Sequence, residues 1–105
     1  MANYLLVYHG GGDMPQGEAE QAAVMAEWMG WFGSLGAAVV DGGNPVGRAW
    51  TVTTDWTVEG GGANPATDYS ILSAESMDAA LVMAKGCPVL KGGGSVELCE
   101  TFNAG

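Results

Sequence analysis

The 105 residues suffice for one domain and not two. Hydrophobic residues make up 48% of the chain and charged residues only 14%, against the usual quarter or so, so a lone copy keeps apolar surface and an interface is expected. The formal charge of −9 sets 12 acidic residues against Arg48, Lys85 and Lys91 alone, which argues against a phosphate backbone or an anionic membrane as partner.

Residues 1–9 are apolar but lack a basic leader and a long hydrophobic stretch, and no run approaches the roughly 18 apolar residues of a membrane span. Cys87 and Cys99 are neither a Cys-x-x-Cys pair nor part of a His-rich cluster. The expectation is a cytoplasmic protein whose two thiols stay reduced as small hydrophobes.

Asn3–His9 reads as the first strand, with Tyr4, Leu6 and Tyr8 on one face and Leu5, Val7 and His9 on the other. Both faces are largely apolar, so both need cover. Gly10-Gly11-Gly12-Asp13-Met14-Pro15 reads as a loop. Residues 17–35 read as a helix with two apolar stripes. One holds Ala22, Met25, Ala26, Met29 and Phe32, the other Val24, Trp28, Trp31 and Leu35. One stripe packs on the sheet; the other calls for a partner subunit, a ligand or a loop. Gly36 suits the helix end.

Ala37–Asp41 reads as a second strand, closed by Gly42-Gly43-Asn44-Pro45. Residues 49–58 are strand formers around Trp50 and Trp56, either one short strand or a hairpin turning at Thr54-Asp55. Gly60-Gly61-Gly62-Ala63-Asn64-Pro65 is a loop and no P-loop, since no Gly-Lys-Ser/Thr follows. Tyr69–Ala74 is the next strand. Ser76 caps a helix with Asp78 in its first turn, Ala80, Leu81 and Ala84 inward, and Met77 and Met83 flanking. Lys85 falls in its last turn, Gly86 fits a left-handed stop and Pro88 prevents continuation. Lys91-Gly92-Gly93-Gly94 turns into a last strand with Val96 and Leu98 on one face, and Phe102 with them if the strand runs that far. Glu97, Cys99 and Thr101 take the other face.

The order is βαββαβ with extra strand or hairpin material at 49–58, which defines a single α+β domain, a ferredoxin-like plait with both helices on one sheet face. The bare face with its two-sided apolar first strand predicts a homodimer through that face.

Several segments resemble the YCII-related (DGPF-type) domain family nearly end to end. They are Tyr4-Leu5-Leu6-Val7-Tyr8-His9-Gly10, Trp31-Phe32-Gly33-Ser34-Leu35-Gly36 and Asp41-Gly42-Gly43-Asn44-Pro45. Gly60–Pro65 with Tyr69-Ser70-Ile71 is similar to a branch that lacks the Asp-Gly-Pro-Phe signature. Ala84-Lys85-Gly86-Cys87-Pro88-Val89-Leu90 with Gly93-Gly94-Ser95-Val96-Glu97 is the most specific segment. The resemblance implies a dimeric α/β-barrel; in some members a His–Asp pair in a cleft is a proposed active site, and relatives of the fold act on small lactones. The family's histidine falls at Met25 here, so that role does not carry over, and Asp68 stands where the family has glycine.

His9, the only histidine, ends the first strand and is the one side chain poised near neutral pH without a shift. Asp41 ends the second strand. If the fold brings them together, His9 serves as general base with Asp41 orienting it; otherwise His9 is structural. Arg48, the sole arginine, is suited to clamp a substrate carboxylate or to pair with an acid. Tyr8 and Asn44 are expected near a pocket mouth, with Trp28 or Trp31 as its apolar wall unless core or dimer packing consumes both tryptophans. No metal-ligand spacing, catalytic triad or cofactor fingerprint is present, so neither metal nor cofactor is expected. Two function classes stand. One is a small-molecule enzyme, an isomerase, hydrolase or dehalogenase acting on a small organic acid or lactone. The other is a non-catalytic ligand-binding or regulatory dimer.

Overall fold

The computed structural model describes residues 1–11 and 16–103; the Gly12–Pro15 part of the expected first loop lies outside them. In chain order the elements are β1 (Ala2–His9), α1 (Glu18–Leu35), β2 (Val39–Asp41), β3 (Trp50–Val52), β4 (Thr57–Glu59), β5 (Ala66–Ala74), α2 (Met77–Ala84) and β6 (Ser95–Glu100). Short 3-10 turns at Gly36–Ala38 and Pro88–Gly92 precede β2 and β6.

Four strands form one antiparallel sheet in the order β2-β5-β1-β6, and β3 pairs with β4 in a separate hairpin. This is the α+β ferredoxin-like plait with an added hairpin. The two-residue period of β1 sorts its side chains. Tyr4, Leu6 and Tyr8 are buried and paired with Leu72, Ser70 and Asp68 of β5. They meet Trp31, Ala80 and Ala84 from the helices and Cys87 and Val89 from the following turn. Leu6 and Leu72 are fully buried, and each contributes on the order of 2 kcal/mol. The other face carries Leu5, Val7, Tyr69, Ile71, Ser73 and Cys99, all half-buried in a single chain.

The helices follow local chemistry. Ser76 Oγ accepts the Ala79 N–H at 3.1 Å, and Asp78 sits in the first turn of α2, a cap worth about 1 kcal/mol. From the second stripe Trp28, Trp31 and Leu35 pack on the core and Val24 lines a cavity, and Phe32 of the first stripe joins them, whereas Met25 and Met29 are exposed. The aromatic stripe wins because its rings bury more area and interlock edge to face: Tyr8–Trp28 ring centroids lie 5.3 Å apart and Trp28–Trp31 5.9 Å.

Several local expectations change. The expected strand at Ala37–Asp41 shortens to β2, because Gly36–Ala38 takes a 3-10 turn. Ala80, Met83 and Ala84 face inward, at spacings of three and one, so Leu81 turns out to solvent. Gly86 is no left-handed stop, since it lacks a positive φ. It is small for a packing reason: a Cβ there would crowd the Trp31 indole, whose N–H donates to Met83 O at 3.1 Å. Residues 49–58 resolve as a hairpin, turned at Thr53–Trp56, where Thr53 Oγ1 accepts the Asp55 and Trp56 N–H groups. β5 starts at Ala66, three residues early, and so takes in Asp68; β6 stops at Glu100, leaving Phe102 exposed. Among the described residues no helix is long and apolar enough to cross a membrane.

Candidate functional site

A cavity of about 670 Å³ opens on the helix side of the sheet, where β1 and β5 run out under α1. Its walls are Tyr8, Trp28 and Phe32, with the glycine segments Gly10-Gly11 and Gly42-Gly43 at the strand ends and Asp68 on β5. The volume falls within the usual range for a small-molecule site.

Glycine makes the chamber possible at two points. Gly43 has φ +78°, and a Cβ there would overlap the Tyr69 carbonyl of β5. A Cβ on Gly92 would overlap Gly11, so the β1 exit and the turn before β6 meet backbone to backbone.

A buried hydroxyl chain holds the floor. Tyr8 Oη donates to Ser70 Oγ at 2.9 Å, and Ser70 Oγ donates to Gly42 O at 2.8 Å. Ser70 and Tyr8 are both effectively sealed from water. Burial pushes the Tyr8 phenol upward, so it stays neutral. Thr67 Oγ1 lies 3.2 Å from Tyr8 O and 3.3 Å from Gly10 O, tying the β1 exit to β5.

Asp68 is the carboxyl of the chamber wall. It is opposite Tyr8 in register, and its Oδ1 accepts the Tyr69 N–H at 2.7 Å. Burial raises its affinity for a proton, and the Tyr69 bond offsets this in part. A carboxyl so placed can exchange a proton closer to neutrality than an exposed one. Lys91 and Glu27 face each other across the rim at 3.3 Å, bringing the turn before β6 to α1. Cys87 is buried beside Tyr8, and burial pushes its thiol up to about 11, which leaves it un-ionised and a poor nucleophile at neutral pH.

Of the residues singled out in the sequence, Tyr8 and Trp28 line this cavity. Trp31 lies behind them in the core. Asp41 accepts the Gly43 N–H at 2.8 Å and stabilises the turn that forms the rim; Asn44, next in that turn, is exposed. Arg48 pairs with Glu59 at 3.1 Å in solvent at the base of the β3–β4 hairpin. His9 has its ring between Glu97 Oε1, at 3.0 Å from Nε2, and Pro65 O, at 3.2 Å from Nδ1. Both neighbours are acceptors, so the doubly protonated ring satisfies them best, and the Glu97 bond raises the histidine's pKa. His9, Asp41 and Arg48 thus each hold a different partner. Asp68, Ser70, Glu27 and Lys91 come to the site without a sequence motif. The available signal was parity: Asp68 shares the face of Ser70, Leu72 and Ala74, where a carboxylate is out of place.

Among the described residues no group of three or more His, Cys, Asp or Glu is arranged to hold a metal ion.

No family model matches the sequence, and neither does any curated protein. Among solved structures the chain is similar to 5-chloro-2-hydroxyhydroquinone dehydrochlorinase (TftG) from Burkholderia phenoliruptrix AC1100, in complex with 2,5-dihydroxybenzoquinone. The TM-score is 0.57 at 21% identity, over 98% of this chain and 95% of that one. At that identity the likeness establishes the shared fold, the ferredoxin-like α+β plait described above.

Proposed function

We propose that the cavity is the active site of a small-molecule enzyme, a YCII-related protein in which Asp68 moves a proton on a small cyclic acid, lactone or hydroxylated ring. The observation that carries this reading is a half-buried carboxyl set in an aromatic chamber of ligand size. Trp28 and Phe32, both half-buried, offer flat apolar contact to a ring, with Tyr8 buried behind them. Asp68 takes a proton from an acidic O–H or C–H while a leaving group or double bond shifts, a step common to isomerases, hydrolases and dehalogenases. Lys91, a cation among the lining residues, would offset the negative charge that such a step develops. The structural neighbour's own named activity, dehydrochlorination of a hydroxylated ring, supports this class of substrate.

The test is a thermal-shift screen of small carboxylates, lactones and hydroxylated quinones, followed by turnover assays on the hits. With a substrate in hand, Asp68→Asn should lower kcat/KM by about 10²- to 10⁴-fold while retaining binding. Unchanged turnover in that variant would remove Asp68 from the chemistry.

A second reading, a non-catalytic ligand-binding dimer, draws support from the un-ionised Cys87 and from His9 engaged elsewhere. It expects saturable binding with no turnover. In both readings the protein is a homodimer through the helix-free sheet face, where Leu5, Val7, Tyr69 and Ile71 need cover.

A further inference from the structure

The β3–β4 hairpin has no role in the cavity, and its chemistry is unusual for a solvent-facing arm. Every residue from Val46 to Glu59 except Thr51 is exposed. Trp50 and Trp56 are each 53% exposed and Val52 71%. An isolated two-stranded hairpin is at best marginally stable in water, so such an arm ordinarily needs a surface to lie on. Four large apolar side chains exposed on one short arm, Trp50, Val52, Trp56 and Val58, mark an interaction site.

The size of the missing cover fits a second copy of the chain. The chain exposes 7010 Å². A folded monomer of its mass is expected to expose roughly 5,500 Å². Its radius of gyration is 15.1 Å, where a compact chain of this length has about 13 Å. The excess of roughly 1,500 Å² per chain is what one protomer contributes to an obligate homodimer interface. The arm also carries little charge. Arg48 and Glu59 neutralise each other at its base, and Asp55 is the only other charged residue from Val46 to Glu59. A second copy, itself at −9, is therefore met by a surface that adds almost nothing to the repulsion.

We propose that the β3–β4 hairpin is a dimerisation arm whose Trp50, Val52, Trp56 and Val58 pack on a second copy of this chain. The inference rests on the dimer reading above and extends it. A clasped hairpin adds Trp50, Val52, Trp56 and Val58 to the apolar surface that the sheet face already offers a second copy.

The test compares wild type with Trp50→Ser/Trp56→Ser by sedimentation velocity across a concentration series. The wild type should be a dimer at micromolar concentration. The variant's dimer dissociation constant should rise by about 100-fold or more, as expected for two truncated aromatic anchors. Hydrogen exchange on the unaltered protein is the second readout: amides of Trp50–Glu59 should slow as concentration rises through the dimer range. A variant that dimerises as tightly as wild type, or hairpin exchange independent of concentration, overturns the arm and leaves the sheet-face dimer standing. A wild type that is monomeric throughout overturns both.

Discussion

Replacing Ser70 with alanine should destabilise the protein far more than the loss of one oxygen suggests. The hydroxyl is fully buried and sits between the Tyr8 phenol at 2.9 Å and the Gly42 carbonyl at 2.8 Å. In Ser70→Ala the Tyr8 O–H loses its hydroxyl acceptor and is left with the Cys87 thiol, a weak one. Leaving a buried donor unmatched costs about 1–3 kcal/mol. The Gly42 carbonyl is half-buried and partly rescued by water, adding a smaller amount. The sum is about 2–3 kcal/mol, which for a domain of this size lowers Tm by about 10–15 °C. Tyr8→Phe should cost less, because Ser70 can still donate to Gly42. In the Ser70→Ala background, Tyr8→Phe should be nearly neutral, since the phenol it removes is already orphaned. A double-mutant cycle by urea denaturation should therefore show a coupling of about 1–2 kcal/mol. Additive costs, or a Ser70→Ala change below about 0.5 kcal/mol, would refute the hydroxyl chain as described.

Three further outcomes follow from the charges. Burial raises the folded-state pKa of Asp68, so its ionised form opposes folding above the ordinary carboxylate range; Asp68→Asn should raise Tm at pH 7, with the gain vanishing below about pH 4. His9 has the opposite sign: its folded pKa is raised above 6.5 by Glu97, so its contribution is complete below that pH and is lost as pH climbs through the folded value. Differential scanning calorimetry from pH 6 to pH 9, an interval chosen to span about that titration, should show His9→Gln losing this pH dependence while Glu97→Gln reduces it. Lys91→Met should weaken binding of an anionic ligand more than of its neutral ester, read by titration calorimetry, because Lys91 is the cation lining the cavity.

Much of the fold was legible because its determinants are local. The alternation in β1, the Ser76 cap with Asp78, and Gly36 closing α1 each act within a few residues. The hairpin at 49–58 stayed open between two readings because strand formers do not reveal a turn whose only marker is Thr53 capping Asp55 and Trp56. The choice between the α1 stripes was hidden for a different reason: both are apolar, and only the shape of Tyr8 beneath selects Trp28 and Trp31 over Met25 and Met29. The site was less legible still. Tyr8 and Trp28 stood out as aromatics near a strand end, but Asp68, Lys91 and Glu27 meet there through pairings between segments far apart in sequence. In the sequence Asp68 is marked only by standing at a glycine position, and its meaning depends on β5 starting early enough to pair it with Tyr8.

The central place of β1 has a consequence for how the chain is made. Tyr4 is paired with Leu72 on one side and Glu100 on the other, so β1 cannot complete its pairing until β5 and β6 have followed it out of the ribosome. Until then a ribbon apolar on both faces waits without partners, at a stage when only α1 can shield one side. Pairings of such wide sequence separation are slow to form. Refolding at high protein concentration should therefore lose material to strand-edge association, read as turbidity that rises with concentration.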